Sequence, residues 1–268
     1  MSGTTSKEWN AEVYHRVSTP QQSWGKQVLA RLPLRGDETV IDAGCGSGIL
    51  TGELLERLPN GHVIALDRSA NMLVQARAHL EPAYGDRVTY IEADLGALDL
   101  AAIPHPVDAI FSTATFHWVH DHDRLFASLS ALLKPDGRLI AQCGGGANIK
   151  RPLDRAKSLM AQEPYAPYFA TYVIPMYFVD AEITAARLKT SGFTEIDTHL
   201  IEMPTLFDDA PAYREFLTNV IFHHFLEQLP DASMRAAFIE QLVEAGAQDN
   251  PPFSIDYWRL NISATKRD

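Results

Sequence analysis

The chain has 268 residues, of which 46% are hydrophobic and 21% charged, a globular composition with ample material for a core. Lys and Arg number 23 against 34 Asp and Glu, a formal net charge of −11. That balance opposes a nucleic-acid or anionic-membrane partner, which would need clustered positive charge.

In chain order, the N-terminal segment reads as helix, break, helix. Thr19-Pro20-Gln21-Gln22 offers a cap residue, a first-turn proline and a glutamine three positions after the cap. Trp24, Val28, Leu29 and Leu32 then form an apolar face. Val40-Ile41 reads as a short buried strand ending at Asp42, and Leu50, Leu54, Leu55 and Leu58 recur at helical spacing. Residues 62–67 (HVIALD) form a second strand, and Met72, Leu73, Ala76 and Leu80 mark the next helix. Residues 88–93 and 107–112 are the third and fourth strands. Leu125, Phe126, Leu129, Leu132 and Leu133 predict an amphipathic helix ending at the turn Lys134-Pro135-Asp136-Gly137, before a fifth strand at 139–143. After Gly144-Gly145-Gly146 the aromatic and proline-rich run EPYAPYFATYVIPMYF matches no regular element. Helix follows at 181–191, strand at 193–201, helices at 212–229 and 232–245, and a last strand at 255–264. Strand–helix alternation of this kind predicts an α/β fold with a parallel sheet covered on both faces. The expected organisation is a single domain, 1–268. It has a helical cap over 1–33, a core over 34–146, and insertions at 147–192 and 205–250.

Cys45 and Cys143 lie far apart in no metal-spaced cluster, so neither a disulfide scaffold nor a zinc site is expected. Residues 1–9 hold no apolar signal-peptide region, and no run of about 18 apolar residues occurs anywhere. A cytoplasmic protein, monomer or homodimer, with neither nucleic-acid nor membrane partner, is the expectation.

The chemistry concentrates at Asp42-Ala43-Gly44-Cys45-Gly46-Ser47-Gly48, a strand running through a glycine turn into a helix. Glycines there admit left-handed backbone angles and close ligand approach, and the helix start presents free N–H groups. The spacing is GxGxG; the GxGxxG of a dinucleotide fold and the GxxxxGK[ST] of a P-loop are absent. A glycine turn alone also serves tight packing. However, Asp67 ends the second strand, where a carboxylate accepts from a ribose diol, and Asp94 ends the third, within reach of an adenine amino group. Each acid singly reads as an ordinary loop residue; the three placements in series point to a ligand site.

These residues resemble those of the class I S-adenosylmethionine-dependent methyltransferases, most closely over 35–145. The resemblance implies a Rossmann-like seven-stranded sheet of order 3-2-1-4-5-7-6 with helices on both faces and a helical cap from the N-terminus and late insertions. It implies S-adenosyl-L-methionine as cofactor and S-adenosyl-L-homocysteine as product. Gly44, Gly46 and Gly48 would approach the methionine moiety and Asp42 its amino group. Asp67, with Arg68 beside it, would bind the ribose, and Asp94 the adenine between Ala93 and Leu95. Thr113 and its neighbours would contribute backbone, and Tyr14 would close over the donor.

Two segments bear on the acceptor: residues 9–14 (WNAEVY) with Gln21, and Phe116-His117-Trp118-Val119. Both look like the small-molecule carboxyl O-methyltransferases of trans-aconitate and juvenile hormone acid type. There, by resemblance, Gln21 and Trp118 would hold the acceptor carboxylate, with His117 beside them. Equally, Gln21 fits the helix start, Trp118 a packing aromatic and Asp121 a helix cap. An ionised carboxylate needs no general base, only orientation and dehydration, whereas a phenol, amine or carbon acid needs a poised base. Tyr165, Tyr168, Phe169, Tyr172, Tyr177 and Phe178 offer an apolar wall, and cations after residue 205 are few. The favoured acceptor is therefore a mono- or dicarboxylic acid with an apolar body. The alternative is a phenolic O, N or C acceptor served by His117 or by His223-His224, with Arg259 as a distal polar candidate. A nucleotide-dependent oxidoreductase and a non-catalytic donor-binding module stay open as rivals.

Overall fold

The computed structural model describes the backbone of residues 19–268 and side chains from residue 23 onward. Helix α1 (Thr19–Ala30) precedes β1 (Thr39–Ala43), α2 (Ile49–Glu56), β2 (His62–Asp67), α3 (Ala70–Tyr84), β3 (Val88–Glu92) and β4 (Val107–Thr113). Helix α4 (His122–Leu132) leads into β5 (Leu133–Gly144), followed by α5 (Lys150–Met160), α6 (Ala166–Phe169), α7 (Ala181–Thr190) and β6 (Phe193–Glu202). The remainder comprises β7 (Thr205–Leu206), α8 (Ala210–Phe216), a π-helical turn (Leu217–Ile221), α9 (His223–Leu226), α10 (Ala232–Gly246), β8 (Ser254–Ile255) and β9 (Trp258–Lys266).

One sheet has the order β3-β2-β1-β4-β5-β9-β6. Strands β1 to β5 pair in parallel and β9 runs antiparallel to both neighbours. Counted within this sheet alone, the order is 3-2-1-4-5-7-6, as the resemblance implies. Alternate residues of each strand feed two cores. Ile41, Ile64 and Ile110 pack under α4 and α7, while Val40, Val63 and Phe111 pack under α1, α2 and α3. A third core lies off the sheet, where α5, α6 and the segment 210–246 meet around Phe169, Phe225 and Phe238. The β7–β8 pair ties together the two ends of that segment.

Several elements differ from the sequence expectation, among them a short helix α6 in the aromatic run and the split of the last strand into β8 and β9. The Lys134-Pro135-Asp136-Gly137 turn is taken inside β5, where Asp136 has φ 60° and the pairing jumps from Val107↔Leu133 to Ala109↔Arg138. Helix α5 was not expected. Ile149, Leu153, Ala156 and Met160 give it an apolar stripe at helical spacing, but Ile149 before it sits at φ 48° with no side-chain cap, so no cap announces it. The helix expected over 212–229 is broken by the π turn. Among the described residues no helix is long and apolar enough to cross a membrane.

Candidate active site

A cavity opens at the carboxyl ends of β1, β2 and β4, where open α/β sheets bind ligands. Asp42, Gly44, Gly46, Asp67, Arg68, Ala93, Leu95 and Thr113 line it, as do His117 and Trp118. The cap contributes Ile149, Met176, Phe178, Val220 and Ile221, and β9 contributes Arg259. Most of the sequence-predicted site is thereby brought together. Tyr14 and the side chain of Gln21 lie outside the described residues.

The glycine loop is held by its own backbone. The N–H groups of Gly44 and Cys45 donate to Leu66 O at 2.8 and 2.9 Å, while that of Gly46 donates to Asp67 Oδ2 at 2.8 Å. Asp67 Oδ1 accepts from Ser69 N–H at 2.9 Å, so the carboxylate is fixed with one lone pair per oxygen remaining. The three glycines differ in what surrounds them. A Cβ on Gly46 (φ +54°) would meet nothing within 4 Å, whereas one on Gly44 (φ +86°) would strike Thr115 Oγ1 at 2.1 Å. Gly48 (φ +83°) does not line the cavity. Its missing Cβ makes room for Leu80 Cδ1 at 2.9 Å and Ala76 at 3.1 Å, so this glycine serves α2–α3 packing. Asp94 likewise stands outside the cavity wall: it is exposed, and its Oδ1 accepts from Gly96 N–H at 2.8 Å, capping a short 3₁₀ turn.

Asp42 is buried at the end of β1, and its Oδ2 accepts from Thr51 Oγ1 at 2.7 Å. Burial pushes its carboxyl up to about 7, against the Thr51 bond and reinforced by Asp67 nearby. A buried carboxyl in this state calls for a cation at the cavity, which fits the ammonium of a donor's methionine end. The fixed lone pairs of Asp67 fit a diol. The residues present therefore suit an S-adenosylmethionine site.

The other flank is built differently. His117 is buried beneath Phe178 (ring centroids 5.8 Å) and beside Trp118 (5.2 Å), and its Nδ1 accepts from Gly144 N–H at 3.3 Å. The neutral ring therefore carries its proton on Nε2. Burial, helped by Arg259 and His122, drives this imidazole well below its ordinary pKa, so it is neutral. Arg259, 3% exposed, stacks over Trp24 at 5.0 Å. Asn148, absent from the sequence expectation, lines the same wall and is 4% exposed; its Oδ1 accepts from Trp258 N–H at 3.0 Å. The other histidines singled out from the sequence stand apart from the cavity wall. His122 donates from Nε2 to Phe116 O at 3.0 Å, following Asp121, which caps α4. His223 and His224 do not line the cavity; burial lowers them to about 3 and about 4, so neither carries charge near neutral pH.

A protein profile for the methyltransferase domain matches residues 40–137, from β1 into β5. A trans-aconitate 2-methyltransferase of Paracidovorax citrulli is 33% identical over 268 residues, covering 94% of each chain. The chain belongs to the class I S-adenosylmethionine-dependent methyltransferases, of trans-aconitate type. A second trans-aconitate 2-methyltransferase, from Methylobacterium nodulans, is 28% identical over 91% of each chain. Among solved structures, Haemonchus contortus phosphoethanolamine N-methyltransferase 2, in complex with phosphomonomethylethanolamine and S-adenosylhomocysteine, has a TM-score of 0.62 at 19% identity. The match covers 96% of this chain and 57% of that one. The YcgJ protein of Bacillus subtilis has a TM-score of 0.61 at 15% identity, covering 92% of this chain and 99% of that one. Both likenesses concern the fold. This methyltransferase is therefore an enzyme with S-adenosylmethionine as its donor, which sets aside the oxidoreductase reading.

Proposed function

We propose that this methyltransferase transfers its methyl group to a carboxylate oxygen of a small organic acid. The observation that carries the proposal is the similarity to relatives named trans-aconitate 2-methyltransferases, and a cavity wall that holds the buried Arg259 agrees with it. Around it, Ile149, Met176, Phe178, Val220 and Ile221 make the walls apolar. Among the described residues, Arg259 is the arginine on the acceptor side of this cavity. Such apolar walls suit an acid with an apolar body.

The bound donor supplies an electrophilic methyl group on a sulfonium. The chain's own residues have simpler tasks. On the donor side, Asp67 would accept from the ribose, Asp42 would face the amino group, and Gly46 would leave room for the methionine end. Arg68, Ala93, Leu95 and Thr113 would complete that wall, with Asp94 near the adenine and Tyr14 closing above. On the acceptor side, Arg259, Trp118 and Gln21 would orient the carboxylate, while the cap excludes water. An ionised carboxylate needs no proton removed, so the neutral state of His117 is no handicap. The same reading assigns the enzyme to the cytoplasm, where its two buried free cysteines stay reduced.

The test is incubation with isotope-labelled donor and a panel of carboxylic acids led by trans-aconitate, with products read by mass. Label released as methanol in mild base identifies an ester. Transfer to phenols or amines with none to any acid overturns the proposal. Gln21→Ala should raise KM for the acid strongly; an unchanged KM removes Gln21 from the acceptor site.

A further inference from the structure

We infer that Asp256 is a positioning residue, a latch that caps helix α5 from the β8–β9 turn and so fixes two parts of the acceptor wall to each other. From the proposed function this takes only that the acceptor lies on the β9 flank of the cavity, and it holds for a carboxylate, a phenol or an amine alike. Helix α5 starts from an awkward conformation. Ile149, directly before it, has φ 48° and offers no side-chain cap. A β-branched residue adopts that left-handed backbone only where its surroundings impose it, and such residues gather at ligand sites. Ile149 does line the cavity.

What imposes it comes from the far end of the chain. The N–H of Ile149 donates to Asp256 O at 2.9 Å, and the N–H of Arg151 donates to Asp256 Oδ2 at 2.9 Å. Asp256 thus does from 105 residues away what a capping side chain does locally. Arg151 returns the contact, its Nη2 donating to Ser254 O and Oγ at 3.1 and 3.0 Å. Beyond Asp256, Trp258 N–H donates to Asn148 Oδ1 at 3.0 Å, and Gly145 N–H donates to Trp258 O at 3.2 Å. These bonds join segment 145–151 to segment 254–258 along their length. Each segment supplies the cavity, with Asn148 and Ile149 from one, Tyr257 from the other, and Arg259 next along β9. Asp256 itself does not line the cavity, so its effect on an acceptor passes through these neighbours. Asp42 and Asp67 stand on β1 and β2, with β4 and β5 between them and β9. Slack in the latch should therefore reach the acceptor, where small misplacements cost rate, and spare the donor.

Asp256→Ala tests the latch, with the acceptor that the labelled-donor panel returns, trans-aconitate first. kcat/KM for the acceptor should fall about tenfold, while affinity for S-adenosylhomocysteine stays within about twofold of wild type. Asp256→Asn keeps an oxygen for Arg151 N–H and should retain about a third or more of the wild-type kcat/KM. Arg155→Met loosens the same helix from α10 and should cost stability with the acceptor KM unchanged, which separates positioning from general support. Hydrogen exchange supplies a reading that needs no acceptor. In Asp256→Ala the amide of Trp258, bonded to Asn148 and not to Asp256, should exchange about tenfold faster, and those of Gly44 and Cys45 at the wild-type rate. Wild-type exchange at Trp258, wild-type kcat/KM in Asp256→Ala, or an Asn variant no better than Ala each overturns the latch. Transfer to amines or phenols with none to any acid overturns the carboxylate reading, and the latch is then read on that acceptor. Should Asp256→Ala fail to fold, Arg151→Met, which removes the bonds to Ser254 from the helix side, should show the same split between acceptor and donor. Equal losses for both refute the latch.

Discussion

The glycine loop makes a prediction that separates packing from ligand contact within three residues. Gly48→Ala places a Cβ at φ +83°, 2.9 Å from Leu80 Cδ1 and 3.1 Å from the backbone Cα of Ala76. The left-handed conformation costs an L-residue about 1–2 kcal/mol, and overpacking between helices adds about 1–3 kcal/mol. Together, about 2–5 kcal/mol should lower the melting temperature by roughly 5–15 °C in a domain of this size. The folded fraction should bind S-adenosylhomocysteine normally, because Gly48 does not line the cavity. Gly46→Ala reverses the pattern. At φ +54° with nothing within 4 Å, the new methyl meets no protein atom, so the cost is the backbone term alone, about 1–2 kcal/mol. That methyl occupies space assigned to the donor, and a clash of about 1–3 kcal/mol corresponds to a roughly 5- to 150-fold loss of affinity. Thermal melts and calorimetric titration of the two variants side by side are sufficient. If Gly46→Ala binds S-adenosylhomocysteine like wild type, or if Gly48→Ala binds poorly while melting normally, the division of roles in the loop is refuted.

Asp42→Asn should alter the pH dependence of stability. Burial raises the native carboxyl to about 7 from 3.8, so this group's contribution is complete below about pH 4 and is lost as pH rises through 7. Melts should show the Asp42→Asn variant gaining on wild type across that window, and parallel curves would refute it. If a donor ammonium meets Asp42, binding of S-adenosylhomocysteine at about pH 6.5 should release a proton. That release is seen as a calorimetric enthalpy that varies with buffer ionisation heat in wild type and not in Asp42→Asn. Arg155→Met strips Asp249 of a bidentate partner at 2.6 and 3.0 Å that links α5 to the end of α10. Denaturant melts should register about 1–3 kcal/mol for the lost bidentate pair, with Arg151 at 3.6 Å as the cation that still faces Asp249 and with no change in donor affinity.

The donor half of the molecule was legible because its signals are local. Val40-Ile41-Asp42 and the following glycines state strand, turn and helix within one short stretch, and Asp67 announces itself as the last residue of an apolar run. Gly48 shows the limit of that reading: the motif names three equivalent glycines, while contact with Ala76 and Leu80 gives one of them another task. The acceptor half was mostly illegible because its meaning lies in long-range pairs. Asn148 has no pattern around it; its orientation is set by Trp258, 110 residues away in sequence. Arg259 could be named as a candidate but not weighed, because only the insertion of β9 between β5 and β6 sets it opposite Gly144. Likewise, the histidines near β4 could not be ranked as bases before Gly144 N–H was seen to occupy His117 Nδ1.

Sheet order also sets two acids and a buried arginine on opposite flanks of one cavity. Along β2-β1-β4-β5-β9, Asp67 and Asp42 sit on the first two strands and Arg259 on the last, with β4 and β5 between them. The acidic flank suits a donor bearing positive charge, and in the proposed reading the Arg259 flank meets the carboxylate. A sulfonium and a carboxylate held in one water-poor space attract more strongly than in bulk solvent, and methyl transfer between them leaves both neutral. Such a reaction asks the protein for alignment and dryness, and for no proton acceptor. On this view the antiparallel β9 is the element that specifies the chemistry. The five parallel strands build the donor side of the cavity, and in the proposed carboxylate reading β9 adds the buried arginine of the acceptor side.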